Sequence, residues 1–356
     1  MHSSRESLTG ILCVVGLVAA AYWYAKNATL PHGAAVSFNA ATESASRPAR
    51  NHVRTIDWSA DGRTLLASTR DWNGNQSVVL YTLLPSGDAI PIELTRQLTG
   101  VAALAPDALH VLIGTNFGEL CWFDVATLET TSLVWPPQMT LFSSATVAAD
   151  GQAVAAATTT GHIFLCDLRR GTVVEINANQ GTTRDYNIAD VRYSHDGRLL
   201  ASSHTDGSIG IWDTVSGERR LSLKGDHKPV TGAAFLPDAG RLISVGHDDR
   251  MRIWDIGSGA EEWQGTCGLH GVNALTVSPD GTRAACGGRR DRIVIWDLQR
   301  RQQKLEFMTT AQVVRDLQFS FDGSRLAVAG MEGTIRFYDA QSGVEQMAVD
   351  VLVGRR

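Results

Sequence analysis

The chain has 356 residues, a length sufficient for two ordinary domains, and 44% of its residues are hydrophobic. Its formal net charge of −5 gives no general argument for binding nucleic acid or an anionic membrane surface. We therefore expect no nucleic-acid partner.

The first predicted element is an apolar segment near the amino terminus. Residues 8–25 contain no charged side chain. As a helix they span about 27 Å, close to the hydrocarbon thickness of a bilayer. Tyr22, Trp23 and Tyr24 lie near its end, where aromatic side chains mark a membrane interface. We predict a hydrophobic helix, with residues 1–25 forming a membrane anchor or a signal segment, followed by a flexible tether at residues 26–51.

The two interpretations of this segment predict different locations. A retained anchor gives a single-pass membrane protein whose side of the membrane is not fixed, because charged residues flank the segment at both ends. A cleaved signal gives an exported or periplasmic protein, and Ala19-Ala20-Ala21 would suit a signal peptidase. The bulky aromatic residues that follow are less usual at a mature amino terminus, which favours the anchor.

From residue 52 onward the chain repeats itself. Seven strand-like segments each end in an aromatic or apolar residue followed by a polar one. The pairs are Tyr81-Thr82, Phe123-Asp124, Cys166-Asp167, Trp212-Asp213, Trp254-Asp255, Trp296-Asp297 and Tyr338-Asp339. They are 42, 43, 46, 42, 42 and 42 residues apart, which indicates one supersecondary unit copied in series.

A second sequence feature recurs at a fixed distance from these pairs. Six units carry an aspartate 16 residues before the marker, at Asp107, Asp150, Asp196, Asp238, Asp280 and Asp322. In the first unit Asp61-Gly62 lies 20 residues ahead, because residues 71–76 form a loop-like insertion. Asp-Gly favours a hairpin turn, since glycine tolerates positive φ. Short apolar stretches around each turn predict four antiparallel strands in every unit.

These units resemble the WD40 family over residues 52–350. The fourth unit has the family's pattern from Ser194 to Asp213, and the sixth unit has it from Ser278 to Asp297. The resemblance implies an all-β fold, a seven-bladed β-propeller of four-stranded antiparallel blades over residues 52–356, preceded by one N-terminal hydrophobic helix.

Closure of the ring has two candidate strands. Residues 344–349 follow the last marker in the place where every other unit has its fourth strand, so they are the favoured outer strand of blade 7. The first and last blades would then meet by side-chain packing without a shared strand. The alternative is a clasp from residues 34–38 near the amino terminus.

The family resemblance also implies a structural hydrogen-bond network in the fifth unit. Its members would be His227, Ser244, Asp248 and Trp254. Two other histidines, His204 and His247, fall in predicted turns and are expected to be exposed. Four cysteines, Cys121, Cys166, Cys267 and Cys286, lie in predicted strands, where buried free thiols are favoured over a disulfide.

One loop face is the predicted partner surface. In the WD40 family the turns between second and third strands share a face with the links between blades, and that face often contacts partners. The predicted partner-binding residues are Arg54, Arg184, Tyr186, Thr205, Lys228, His247, Arg289, Arg290, Arg315 and Met331. Arginine and tyrosine suit this role because they combine contact area with directed hydrogen bonds.

The sequence contains no HExxH, Gly-x-Ser-x-Gly or P-loop string, so we expect no catalytic, cofactor or metal site. The predicted function is a non-enzymatic scaffold that binds one or more proteins through the loop face and a membrane through residues 8–25. The alternative is an exported propeller enzyme or small-ligand sensor that uses the central channel. It would require convergent polar groups in the channel, which the linear sequence does not reveal.

Overall fold

In the computed structural model the repeats become seven four-stranded antiparallel sheets. The structure describes residues 52–70, 76–83, 89–96, 99–115, 118–134, 141–179, 187–225, 228–238 and 240–351. In these ranges no helix is long and apolar enough to cross a membrane. The predicted hydrophobic helix at residues 8–25 and the tether at residues 26–51 lie outside them.

Each blade is built from four strands that are consecutive in the chain and paired in order. Blade 1 contains β1 (His52–Trp58), β2 (Thr64–Arg70), β3 (Gln76–Leu83) and β4 (Ala89–Arg96). Blade 2 contains β5 (Thr99–Leu104), β6 (His110–Thr115), β7 (Leu120–Asp124) and β8 (Thr130–Val134). Blade 3 contains β9 (Phe142–Val147), β10 (Ala153–Thr158), β11 (His162–Asp167) and β12 (Thr172–Asn177).

The remaining blades follow the same order. Blade 4 contains β13 (Ile188–Tyr193), β14 (Leu199–His204), β15 (Ser208–Asp213) and β16 (Arg219–Lys224). Blade 5 contains β17 (Val230–Phe235), β18 (Arg241–Gly246), β19 (Arg250–Asp255) and β20 (Glu261–Thr266). Blade 6 contains β21 (Val272–Val277), β22 (Arg283–Gly288), β23 (Arg292–Asp297) and β24 (Gln302–Met308). Blade 7 contains β25 (Val314–Phe319), β26 (Arg325–Gly330), β27 (Thr334–Asp339) and β28 (Glu345–Asp350).

Burial changes across each blade from the centre of the ring outward. The first strands of neighbouring blades pack side by side around the central axis. Second and third strands are apolar runs buried on both faces, as in β23, where Ile293, Val294 and Ile295 are at most 1% exposed. Fourth strands alternate between exposed and partly buried residues, as in β24. The hydrophobic core therefore lies between the sheets, and the channel is lined by first strands.

The Asp-Gly turns form as the sequence predicts. In blade 1 the hydroxyl of Ser59 donates to Asp61 Oδ1 at 2.6 Å, and the amide of Arg63 donates to the same oxygen at 3.0 Å. Gly62 has φ +66°, which a side chain would strain. The same arrangement recurs in blades 4, 6 and 7. Each aspartate holds the turn between the first and second strands.

The carboxy-terminal strand forms the outer strand of blade 7, as the sequence predicts. β28 pairs with β27 and completes blade 7. Blades 7 and 1 share no sheet, and their contact includes a buried cluster with Val53 and Tyr81 of blade 1 and Ile335 and Phe337 of blade 7. Side-chain packing thus joins the two ends of the ring. The alternative clasp, residues 34–38, lies outside the described residues.

The four cysteines of the propeller are buried free thiols, as favoured from the sequence, and no disulfide joins them. Burial raises the pKa of Cys166 and Cys121 to about 12. Because the thiolate is the reactive form, these side chains act as small apolar residues of the core.

Candidate functional site

A β-bulge interrupts the first strand of every blade at the same place. In blade 1 Val53 pairs with Thr69 and Thr55 with Ser68, so Arg54 is the extra residue of the bulge. The other six blades show the same two-against-one register. The extra residues are Arg54, Gly100, Ser143, Ala189, Thr231, Asn273 and Arg315. We call this set the bulge ring.

The bulge ring surrounds the mouth of the central channel. A bulge bends its strand and redirects the extra side chain away from the regular alternation of the sheet. Six of the seven bulge-ring residues line one cavity of about 630 Å³. His52, Arg70 and Met331 also line it. The mouth is therefore built by one backbone feature, the bulge, repeated around the ring, and the residue at the bulge varies from glycine to arginine.

One sector of the mouth is strongly basic. Arg54 and Arg315 occupy equivalent bulge positions on adjacent blades 1 and 7, and Arg70 lies at the end of β2 beside them. All three side chains are exposed. Partial desolvation in the cavity, followed by the charges of Arg70 and Arg315, lowers the pKa of Arg54. The three guanidinium groups thus act on one another as like charges.

Beneath this basic sector the channel is acidic. Asp57, Asp190 and Asp316 line the same cavity, together with Arg192. Arg192 Nε lies 3.1 Å from Asp190 Oδ2. Burial raises the pKa of Asp316 to about 7, and it also raises the pKa of Asp57. The nearby carboxylates, Asp190 above all, raise the pKa of Arg192.

These carboxylates join neighbouring blades. The amide of Ile56 in blade 1 donates to Asp316 of blade 7 at 2.9 Å, and the amide of Leu104 in blade 2 donates to Asp57 of blade 1 at 3.0 Å. Between blades 3 and 4 the hydroxyl of Ser144 donates to Asp190 at 2.8 Å. Each bond links the first strands of two adjacent blades, so the acidic layer connects three of the seven blade junctions.

The channel mouth does not resemble a metal centre. In the part of the chain that the structure describes, no group of three His, Cys, Asp or Glu side chains is arranged to hold a metal ion. The three channel carboxylates accept hydrogen bonds from protein donors. These hydrogen bonds give the three carboxylates a structural role that does not require a catalytic reaction.

The predicted network of blade 5 is described only in part. Trp254 Nε1 donates to Ser244 Oγ at 2.8 Å. Asp248 pairs with Arg252, which is 5% exposed, at 2.5 Å. His227 lies outside the described residues, so the four-membered network stays a prediction.

His204 is buried, and the expectation that it is exposed is wrong. It is the last residue of β14 and is 5% exposed. Its Nε2 lies 2.7 Å from Ser202 Oγ, which accepts a hydrogen bond from Trp212 Nε1 at 2.8 Å. Burial lowers the pKa of His204 to about 4, so the ring is neutral at neutral pH. Blade 4 thus contains a row of hydrogen-bonded side chains, Trp212, Ser202 and His204, which the prediction of a turn at His204 missed.

The predicted partner-binding residues are distributed over several blades. Arg54, Arg315 and Met331 come together at the channel mouth. Thr205, Lys228, His247, Arg289 and Arg290 lie in turns or links of blades 4, 5 and 6. Arg290 Nη2 lies 3.2 Å from His270 Nε2. Arg184 and Tyr186 lie outside the described residues. Binding of a partner by any of these residues stays a prediction.

Sequence reasoning missed Arg70, Asp190, Arg192 and Asp316. A signal for the bulge ring was nevertheless present. Each bulge residue lies seven positions before the aspartate of its Asp-Gly-type turn, as Arg54 does before Asp61 and Arg315 before Asp322. Aligning the seven repeats on the turn aspartate places Arg54 and Arg315 at the same position of adjacent blades 1 and 7.

Comparison with known protein families gives two matches. The family model described as "WD domain, G-beta repeat" matches residues 217–255, 262–297 and 302–339. The model described as "Anaphase-promoting complex subunit 4 WD40 domain" matches residues 133–235. These matches cover parts of blades 3 to 7 and agree in phase with the repeat.

Several curated proteins are similar to part of the chain. The WD repeat-containing protein SL1-17 of Schistosoma mansoni is 29% identical over 33% of this chain and 38% of its own length. An uncharacterized WD repeat-containing protein of Synechocystis is 31% identical over 31% of this chain and 30% of its own. The WD repeat-containing protein 26 homolog of Arabidopsis thaliana is 35% identical over 17% and 10%. The chain thus spans only 10% to 38% of the length of these relatives.

Proposed function

We propose that this chain, which carries WD40 repeats folded into a seven-bladed β-propeller, is a non-enzymatic scaffold that binds proteins through the loop face around the channel mouth. The bulge ring carries this proposal. The same backbone feature presents side chains of six blades at a common mouth, and these side chains differ in size, polarity and charge. A fixed frame with variable side chains is the usual basis of specificity in a binding fold.

The use of the channel carboxylates supports a role without catalysis. Asp57 and Asp316 each accept an amide hydrogen bond from the next blade, and Asp190 accepts one from Ser144. WD40 propellers commonly act as interaction scaffolds, and nothing in the described residues shows catalytic activity.

Affinity capture from detergent-solubilised membranes tests the scaffold. The tagged chain should retain a protein partner, and Thr205→Arg with Arg289→Glu should reduce that retention, because both residues are exposed on the loop face. Arg63→Glu is the matched control, since Arg63 is exposed in the Asp61 turn at the opposite face. Equal retention by all three proteins would contradict binding through the loop face.

A small-ligand sensor or exported enzyme is the second candidate. The cavity of about 630 Å³ with Asp57, Asp190, Asp316 and Arg192 in its lining supports it, because convergent charged groups suit a polar ligand. Native mass spectrometry of the purified chain distinguishes the two functions. A bound small molecule without a protein partner would favour the sensor.

We also propose that residues 8–25 tether the propeller to a membrane as a single-pass anchor. The 18 uncharged residues and the aromatic trio at their end support this. A chain that resists alkaline extraction from membranes, and that loses this resistance when residues 1–25 are deleted, fits the anchor. An intact mass lacking the first residues, with the chain recovered in the periplasm or medium, fits the cleaved signal.

A further inference from the structure

The charge of the bulge ring is concentrated in one sector. Of the side chains at the six cavity-lining positions, only Arg54 and Arg315 are charged, and they stand on adjacent blades 1 and 7. The other four side chains are neutral: Ser143, Ala189, Thr231 and Asn273. The two arginines therefore create a local positive site on a chain whose formal net charge is −5.

Arg70 makes this site a group of three. It is the last residue of β2 and pairs in register with His52, next to Arg54. Within the described part of the chain neither Arg70 nor Arg315 forms an ion pair. Arg315 Nη2 has the sulfur of Met331, a weak acceptor, at 3.9 Å. The guanidinium groups of Arg70 and Arg315 therefore have donors available for an anionic ligand.

The layer beneath limits how far an anion can enter. Asp190 and Asp316 line the same cavity below the rim, and Arg192 is already engaged by Asp190 at 3.1 Å. A polyanion that moved down the channel would meet these carboxylates. Anionic groups are thus best accommodated across the rim, where the guanidinium groups reach them and the carboxylates do not.

The neutral side of the mouth suits a peptide backbone. The hydroxyl of Thr231 donates to Val272 O at 2.7 Å, and Asn273 Nδ2 donates to Val314 O at 3.3 Å. Both side chains keep an oxygen that can accept from a backbone N–H. An extended peptide lying across the mouth would meet acceptors on one side and guanidinium groups on the other.

We propose that Arg54, Arg70 and Arg315 bind the acidic side chains of an extended peptide segment of a protein partner. The inference rests on the proposed scaffold function and names the chemistry of what the mouth binds. Arginine suits carboxylates because its planar fork donates two parallel hydrogen bonds. A nucleic acid is a poorer fit, since its phosphate backbone requires a basic stripe rather than three arginines on an acidic chain.

Fluorescence anisotropy with two labelled peptides tests the proposal. The probes are an eight-residue Glu-Ser repeat and the matched Gln-Ser repeat, each added to the full chain in detergent at low and physiological salt. The Glu-Ser peptide should bind at least about tenfold more tightly, and its affinity should fall as salt rises, because the contacts are between exposed charges. Arg70→Glu and Arg315→Glu should each weaken binding by about tenfold or more.

Two matched variants separate the rim from the overall charge. Arg63→Glu changes the charge equally on the opposite face, and Lys224→Glu does so at the loop-face end of β16 in blade 4. Both should keep the wild-type affinity within about twofold. Equal affinity for the two peptides, or equal losses in these control variants, would overturn the proposal. Tighter binding of a single-stranded oligonucleotide that depends on Arg70 and Arg315 would overturn it as well.

Folding and the scaffold function are checked separately. Arg70→Gln and Arg315→Gln remove the charge without reversing it, and should also lose peptide binding while keeping the wild-type unfolding midpoint. If the Gln variants are folded and bind the Glu-Ser peptide normally, the proposal is wrong. If a captured partner is lost with Thr205→Arg and Arg289→Glu but not with the rim variants, the scaffold function stands and the acidic-peptide inference fails.

Discussion

In blades 4 to 6 the marker residue is a tryptophan, and the residue ten positions before it decides whether the indole N–H has a hydrogen-bond acceptor. In blades 4 and 5 it is a serine, and the indole N–H of Trp212 or Trp254 donates to its hydroxyl at 2.8 Å. In blade 6 the same position is Cys286, and Trp296 Nε1 is buried without a hydrogen bond of normal geometry. Sulfur is a weak acceptor, so blade 6 leaves an indole donor poorly paired.

Replacing Cys286 with serine should stabilise the protein. The new hydroxyl would accept from Trp296 Nε1 and donate to Val294 O, which the thiol approaches at 3.7 Å. We expect the free energy of unfolding to rise by about 0.5–1.5 kcal/mol, the net value of a typical hydrogen bond. Urea denaturation of the full chain measures it. Cys166→Ser is the control, because it makes the same chemical change at a buried thiol that is not placed opposite a marker tryptophan, and it should not raise the free energy of unfolding.

Asp316 should make the stability of the ring pH-dependent. Its pKa of about 7 in the folded chain lies above its usual value because burial disfavours the charged form. Between about pH 4 and pH 7 the folded chain therefore holds a proton that the unfolded chain has released, and the free energy of unfolding falls as the pH rises. Below about pH 4 the burial of Asp316 does not lower the free energy of unfolding, and above about pH 7 the full loss is present.

The variant Asp316→Asn removes this titration while keeping an oxygen that can accept from Ile56 N. Relative to wild type, the variant should become more stable as the pH rises from about 5 to 8. Urea denaturation at several pH values gives this difference directly. A difference between the two proteins that does not change with pH would contradict the assignment.

At the scale of elements, the seam between blades 7 and 1 depends on side chains rather than on a shared strand. Trp58 of β1 meets Phe337 of β27 edge to face, with ring centroids 5.7 Å apart. Phe337 is 1% exposed and Trp58 is 9% exposed. The amide of Ile56 adds one hydrogen bond to Asp316 across the same seam. An aromatic pair of this geometry stabilises beyond the area it buries.

Truncating Phe337 to alanine should weaken the seam. We expect the free energy of unfolding to fall by about 3–5 kcal/mol, because a buried phenylalanine leaves a cavity as well as losing its transfer free energy. Thermal or urea denaturation measures the loss. Val344→Ala in the same blade is the control, since Val344 is 61% exposed and should change stability by less than about 0.5 kcal/mol. Equal effects of both substitutions would show that the seam cluster does not hold the ring.

Strands and turns were predictable because their signals are local. Asp196-Gly197 predicts its own turn, and the apolar run before Trp212 predicts its own strand. The bulge ring was not predicted, because a bulge is a property of the register between two strands. The composition of either strand alone does not contain it. The bulge position of Arg54 is defined only by the pairing of Val53 and Thr55 with β2.

The error at His204 has a similar cause. The residue pairs with Ile188, so β14 extends one position further than the turn assignment allowed. Residues two apart in a strand point to the same face, so His204 lies over Ser202 and is buried with it. The end of a strand is set by its partner, and sequence patterns place such ends least well.

At the scale of the whole molecule, the channel has two layers of opposite charge. Arg54, Arg70 and Arg315 form the rim, and Asp190 and Asp316 lie with Asp57 and Arg192 beneath it. The acidic layer joins blades through backbone hydrogen bonds, and the basic rim is exposed. The hydrogen bonds between blades thus lie apart from the proposed binding residues of the rim, so Arg70 and Arg315 can be substituted without removing those bonds.

Site-specific photocrosslinking tests the central claim, that the loop face around the channel mouth binds the partner. A photoreactive amino acid is placed one position at a time on the loop face at Thr205, Arg289 and Met331, and on the opposite face at Arg63, Arg198 and Phe321. The full chain is then irradiated in the cells that express it. Crosslinks to a protein partner from the loop-face positions, and none from the opposite face, are the predicted result. Crosslinks that arise only from the opposite face would contradict the account.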